Sequence, residues 1–407
     1  MVACYSGSQQ VAWEDESSWA EDVDTMTYAV PLSAPVDIQG ITQQMLDASR
    51  VTSRRLAYSK GVLGNWDISF TLTSNLTGHG STCAGAISAT ALARYLGIVL
   101  GGRDTTLASG TTITGGTTTV PTITASGTLP AGGLTRIGSL GDGDGEGQFY
   151  AHSTHSGNNL TVYNALAGAP AAAQVVYSPE LVYPADSSCS MTGRRFRILT
   201  ADLQFVVHGC FPVSISFSGL EPGGRPQVSV TWRGSWAEPI STTFPTTPNA
   251  DEFNWQPPSA GGSLFLQDLG TSTRAVYGFR SFAVDYQLGM SPVMGGNGVN
   301  QYQVITGATR AKDAIMVSVT LDGQGADATP QWWDSWGANT SQHMMYTAHS
   351  ADGTAFGIYF RNLCWMGARP SQSSTNDRNT IPLTFRADVH STTTSDLTLA
   401  PMVLALA

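Results

Sequence analysis

The residues in this 407-residue chain best suited to chemistry are a tryptophan cluster, an acidic glycine run and two pairs of metal-ligating side chains. Trp332, Trp333 and Trp336 carry flat apolar faces of the kind on which sugar rings stack. With the Ser and Thr richness around them they fit a glycan-binding or glycan-cleaving protein. Their structural alternative is buried packing, or a contact between subunits. The run Asp142-Gly143-Asp144-Gly145-Glu146-Gly147 spaces carboxylates as calcium loops do, but it lacks the distal glutamate and flanking helices of an EF-hand. It reads as a solvated loop, with a bound ion as the alternative. His79 with Cys83, and His152 with His155, each offer two ligands where a structural zinc site needs four, so both read as turn or surface residues.

Signatures of other chemistries are missing from the string. Lys60 and Lys312 are its only lysines and neither follows a glycine, so no P-loop is present. There is no H-E-x-x-H to set two zinc ligands one helical turn apart, and no G-x-S-x-G nucleophile elbow. The expectation is a protein that is not an enzyme, with no catalytic residue, no cofactor and no metal.

Composition points the same way. Charged residues make up 12% of the chain, against about 25% in ordinary domains. Gly, Ser and Thr crowd between short apolar runs, which favours a β protein with many turns. A surface so poor in charge is weakly defended as a free monomer, which implies that partners cover much of it. The net charge of −10 argues against a protein that grips nucleic acid by its phosphates. Cys4, Cys83, Cys189, Cys210 and Cys364 are scattered without C-x-x-C spacing and read as reduced thiols. The first ten residues lack the features of a secretion signal and no apolar run is long enough to span a membrane, so a soluble protein made in the cytoplasm is expected.

The elements that would position these residues are mostly strands. Trp13 and Trp19 sit in polar surroundings within an extended N-terminal arm, which suggests docking onto something. Trp66, Ile68, Phe70 and Leu72 alternate with Asp67, Ser69, Thr71 and Thr73, the pattern of a half-buried strand. Ala84 to Leu100 carries helical spacing and is stopped by Gly101-Gly102. Thr105 to Pro130 is a Thr, Gly and Ser run without the bulky residues of a core; with the acidic stretch after it, it reads as an elaborated loop region in which Val120 and Ile123 could form a surface hairpin.

Strand patterns resume from Leu160 and run through Phe205, Ile215 and Val230. Residues 239–262 read as a linker. A second set then follows: Phe282, Val284 and Tyr286 alternating with Ser281, Asp285 and Gln287, then Val317, the tryptophan segment, Phe360, Phe385 and an apolar C-terminal stretch that includes Leu404 and Leu406. Both halves show strands, a helix-like segment and more strands, so a degenerate duplication is expected. It divides the chain into 1–238, carrying the arm and an insertion at about 101–158, and 263–407.

In this order and composition the chain resembles the tail tube, or major tail, proteins of long-tailed bacteriophages, over most of its length. The resemblance implies a mainly β fold of two β-sandwich domains, each with a flanking helix, whose strands join neighbouring subunits in an inner barrel around a channel for DNA. A duplicated domain implies a trimeric, pseudo-hexameric ring stacked into a tube. The partners it implies are other copies of the chain and the tape measure, tail terminator and tail tip proteins. DNA would pass the lumen without specific binding, no membrane would be involved, and the protein would reside in the virion tail after synthesis in the host cytoplasm. A wall that passes DNA must not hold it, which suits neutral or acidic polar side chains. Asp67, Ser69, Thr71, Thr73, Ser281, Asp285 and Gln287 are the candidate lumen residues; as a plain alternative they are the solvent face of an ordinary sandwich. Trp13, Trp19, Trp332, Trp333, Leu404 and Leu406 are the candidate subunit contacts. The competing readings are a secreted glycan-binding or glycan-cleaving sandwich, and another virion part such as a decoration or tail-tip protein.

Overall fold

A computed structural model of the chain describes residues 9–17, 28–46, 49–52, 55–58, 62–76, 78, 90–104, 112–123, 133–137, 148–156, 158–162, 176–177, 179–185, 193–200, 203–240, 263–269, 276–296, 303–310, 314–322, 328–348, 355–367, 369–370, 373–375, 378–388 and 400–406. The protein is mainly β, built from antiparallel sheets, with no closed barrel among the described residues.

The first half opens with β1 (Gln9–Asp15), β2 (Tyr28–Ala29), β3 (Asp37–Leu46), β4 (Ser49–Thr52), β5 (Arg55–Tyr58) and β6 (Val62–Asn75), followed by α1 (Ala91–Leu100). Next come β7 (Gly101–Asp104), β8 (Ile113–Gly116), β9 (Pro121–Ile123), β10 (Gly133–Ile137), β11 (Gln148–Ser156), β12 (Asn159–Val162) and β13 (Val176–Tyr177). The half closes with β14 (Glu180–Pro184), β15 (Arg194–Thr200), β16 (Leu203–Ser218), β17 (Gln227–Gly234) and β18 (Trp236–Ile240). The second half has β19 (Ser263–Asp268), β20 (Val276–Tyr277), β21 (Phe279–Gln287), β22 (Met290–Gly296), β23 (Gln303–Arg310), β24 (Ile315–Asp322) and α2 (Ala328–Gly337). It ends with β25 (Gln342–Ala348), β26 (Phe356–Trp365), β27 (Ser373–Thr375), β28 (Arg378–Ala387) and β29 (Met402–Leu406).

The same connectivity occurs twice. In the first half β2 pairs with β1, β1 with β15, β15 with β16, β16 with β17, β17 with β6 and β6 with β3. In the second, β20 pairs with β19, β19 with β25, β25 with β26, β26 with β28, β28 with β24 and β24 with β21. β18 lies beside β16 as β29 lies beside β26. Each half carries a long hairpin, β3–β6 or β21–β24, extended by a two-stranded ribbon, β4–β5 or β22–β23, and each hairpin is followed by a helix.

Of the expected linker only the first two residues are described. Pro239 and Ile240 belong to β18, opposite Phe205 and Gln204, while 241–262 lie outside the described residues. β16 pairs directly with β21, from Ser214 opposite Gln287 to Phe217 opposite Val284, so one sheet runs β3-β6-β17-β16-β21-β24-β28 through both halves. A second junction forms where β14 pairs with β29.

Alternation decides which face of that sheet is core. Ile68, Phe70, Leu72, Val228, Val230, Trp232, Ile215, Phe217, Val284, Val317 and Phe385 are all buried on one side, each fully buried side chain of this kind contributing roughly 1.5–3 kcal/mol. α1 covers that side in the first half: Thr90 caps its N-terminus by accepting from Ala93 N, Gly101 ends it in the left-handed region at φ 91°, and Leu92, Tyr95, Leu96 and Val99 face inward. The helix begins at Ala91, later than the sequence spacing suggested; residues 84–89 of that expectation lie outside the described set. α2 occupies the matching place in the second half, with Trp332 between Tyr277 and Trp365, which in turn packs on Phe385.

The described residues of the Thr-rich region, 112–123 and 133–137, are mostly strand rather than loop. β8 to β13 form their own six-stranded sheet with a small core of Ile113, Ile137, Tyr150, Leu160, Val162 and Val176. The expected hairpin is present as β8–β9, with Val120 at its turn and Ile123 in its second strand. The other side of this sheet packs Leu134, Phe149 and Ala151 against Phe265, Met345, Tyr359 and Val403 of the second half. Asp104 and Leu181 are register partners, so the module leaves and re-enters the main sheet at adjacent strands, β7 and β14.

Glu180 secures the base of that module. It receives Arg103 Nε at 2.6 Å and both the N–H and hydroxyl of Thr90, at 3.2 and 3.4 Å. Burial pushes its carboxyl above the ordinary value, and the guanidinium and hydroxyl donors oppose this only in part. The folded state therefore holds the proton more tightly than the unfolded chain. The stability this group contributes is complete below the unfolded carboxylate pKa of about 4.3 and declines as pH climbs through the raised folded value. Urea unfolding at pH 4 and pH 7 should show Glu180→Gln gaining on the parent protein at the higher pH; a pH-independent difference would contradict the assignment.

Candidate functional site

The other face of the continuous sheet carries hydroxyls and short polar groups strand after strand. Residues directly opposite one another form rows across the strands, one running Thr73, Ser229, Ser216, Asp285, Met316, Arg386 and Cys364. A second runs Thr71, Thr231, Ser214 and Gln287. Of the seven candidate lumen residues, Ser69, Thr71 and Thr73 lie half-buried on this face, and Ser281, Asp285 and Gln287 lie exposed on it. Asp67 is placed by backbone register opposite Thr42; its side chain lies outside the described residues. The β16–β21 pairing thus brings the first-half and second-half candidates onto one surface, an arrangement no local pattern announced.

That surface is chemically quiet. Thr73 and Ser229 hydroxyls meet at 2.9 Å and those of Thr71 and Thr231 at 3.2 Å, so much of the polar capacity is spent between neighbouring strands. Asp285 and Arg386 stand two strands apart in one row, and no single sign of charge dominates the face. Ser214, Ser216, Ser229, Thr231, Ser318 and Thr384 belong to the same surface and were missed as site residues, although each alternates with buried apolar neighbours as clearly as Ser69 to Thr73 do.

Where the sheet ends, the surface changes. β3 pairs only with β6 among the described residues, leaving its outer backbone edge open. At the opposite end, β26 lies against β28 over Leu363–Trp365, and Met366 N donates to Thr384 O before the chain turns away at Gly367. Among the described residues the exposed large hydrophobics are Val293 at 41%, Trp333 at 38% and Met366 at 37%. Trp333 donates its indole N–H to Pro370 O, and the Arg369 guanidinium lies 3.8 Å from its ring centroid.

The candidate subunit contacts divide. Trp13 is a core residue: β1 lies between β15 and β2, and the indole stacks on Tyr28 at 4.7 Å, so its polar neighbours in sequence misled. Trp332 is fully buried on the inner face of α2, which also removes the three-ring platform for a sugar. Leu404 and Leu406 are buried because β29 is a central strand between β14 and β26. Only Trp333 of the described set is open to a neighbour, and Trp19 lies outside the described residues.

No metal ligand set forms among the described residues: no three His, Cys, Asp or Glu side chains gather in one place. His152 is buried in β11, whereas His79, Cys83 and the Asp142–Gly147 run lie outside the described set. Cys210 and Cys364 are free thiols. No helix among the described residues is long and apolar enough to cross a membrane. The chain matches no protein-family model, and a search of curated proteins finds no relative.

Proposed function

We propose that the chain is the repeating subunit of a hollow tube, three copies closing a ring in which six similar halves share one continuous inner sheet, as in the tail tubes of long-tailed bacteriophages. The observation that carries this reading is the repeated connectivity joined by the β16–β21 seam, which sets two equivalent units side by side with their polar faces on one surface. Three copies would supply about twenty strands; at ~4.8 Å spacing and ~40° tilt these close a barrel roughly 40 Å across the backbone, wide enough for an aqueous channel.

Ring closure also gives the open edge of β3 a role, since an unpaired edge is an aggregation hazard in a monomer and an assembly device in a ring. The hydroxyl-lined face suits a channel wall that lets DNA slide past without holding it. In this reading the protein resides in the virion tail, its partners are further copies of itself with the tape measure, terminator and tip proteins, and no enzyme chemistry is involved. Sedimentation across a wide concentration range tests the assembly: trimers and stacked multiples of trimers are expected. A protein that remains monomeric throughout would contradict the reading.

A further inference from the structure

We infer that Arg369, together with Trp333 and Trp336 of α2, forms a binding site for a carboxylate-bearing sugar ring of a glycan, a uronate or a sialate. The site is separate from the polar face of the sheet, and the inference does not depend on the ring reading above.

Helical spacing divides the tryptophan cluster. Trp332 and Ser335 are buried on the inner side of α2, whereas Trp333 is exposed and Trp336 half-buried. Trp333 and Trp336 are three residues apart, so they are neighbours on the helix surface. The chain beyond β26 comes back to this surface. Trp333 donates its indole N–H to Pro370 O, which ties down the residue before it: the Arg369 guanidinium lies 3.8 Å from the Trp333 ring centroid and 5.9 Å from that of Trp336. A guanidinium stacked on an indole is oriented by it and keeps its planar fork of N–H donors for partners in its own plane. Arg369 is exposed, and among the described residues no acceptor meets those donors.

Two indoles and one oriented guanidinium suit a ligand that offers a flat C–H face and a bidentate oxyanion together. A uronate or sialate ring has both, because its carboxylate is attached directly to the ring. A polyanion such as nucleic acid fits less well, since the chain carries a net charge of −10 and the exposed Asp334 follows Trp333 in the helix. An acidic peptide brings its carboxylates on flexible stems and leaves the indole faces without a role. Burial of Trp332 thus takes away a platform for neutral sugars, and the remaining pair of rings gains a cation that selects acidic ones.

The experiment titrates trigalacturonate and sialyllactose into the intact chain at low salt and follows binding by saturation-transfer NMR, beside their neutral counterparts, trigalacturonate methyl ester and lactose. At least one of the acidic sugars is expected to bind saturably, with its neutral counterpart about 10-fold weaker for want of the charged hydrogen bonds. Arg369→Gln should bring the acidic sugar down to the level of its neutral counterpart while leaving the thermal midpoint unchanged, and Trp336→Ala should weaken both. Inorganic phosphate and a polyglutamate peptide serve as anions that lack a sugar face. Binding of neither acidic sugar, equal binding of the neutral counterparts, parent-like binding by Arg369→Gln, or phosphate or polyglutamate binding as tightly as the sugars overturns the inference. None of these outcomes alters the ring reading, which the oligomeric state tests by itself.

Discussion

Replacing Trp232 with alanine will remove about 5 kcal/mol of stability. The indole is fully buried in the centre of β17, against Phe196 and under α1, and its Nε1 donates to the Tyr95 hydroxyl at 2.9 Å. Truncating a buried aromatic to alanine costs roughly 3–5 kcal/mol, and orphaning a buried hydroxyl adds about 1–3 more. Such a loss is comparable to the whole stability of many domains, about 5–15 kcal/mol. Burial pushes the Tyr95 hydroxyl up, so it stays protonated across the accessible pH range and has no other charge state to fall back on. The comparison that isolates the hydrogen bond is Trp232→Phe, which keeps most of the ring but orphans Tyr95. Combining it with Tyr95→Phe removes both polar groups and should recover part of that loss in a double-mutant cycle. Urea unfolding of the set measures all three terms, and strictly additive single effects would contradict the paired role of these residues.

Introducing Thr231→Lys together with Ser216→Lys should convert assembled tubes from indifferent to DNA into tubes that retain it. Both positions face the polar surface, in adjacent rows on adjacent strands, and their half-buried setting lets a lysine stem lie along the sheet with its head in the channel. Each ring of three copies would gain about six positive charges, and stacked rings would present them repeatedly along the path. Binding of this kind releases counterions, so retention at 50 mM salt should fall by roughly 10³-fold or more at 200 mM. The same change at Asn159, exposed on the separate β8–β13 module, should have little effect. Lysine-bearing tubes that assemble normally and pass DNA fragments as the parent protein does would show that this face is not the lumen.

How much of this was legible in the string depended on the range of the interaction. The strand from Ile68 to Thr73, the Phe282 to Gln287 strand and the stop at Gly101 could be read because alternation and a helix cap are local properties. The Thr-rich module could be read only in part: the Leu160 strand and the hairpin at Val120 and Ile123 were local, but its core is spread from Ile113 to Val176, so no one window of the sequence contains enough of it to look like a core. Trp13 and Leu404 were misplaced for a related reason, since a strand's exposure is set by what pairs beside it, and β15 and β14 are distant in sequence. The two candidate lumen patches were named separately, and only the long-range pairing of Ser216 with Asp285 unites them. The exposed Met366 had no sequence signal, because its openness comes from the turn at Gly367 and from the end of β26.

The central claim, that this sheet is one segment of a closed wall, is tested most directly by electron microscopy of the purified protein at assembly concentrations, with averaging of end-on views. Hollow rings or tubes of uniform diameter are expected, with an inner wall of near six-fold appearance and an outer profile of three-fold symmetry set by one β8–β13 module per copy. Dispersed single chains, or assemblies without a central channel, would contradict it.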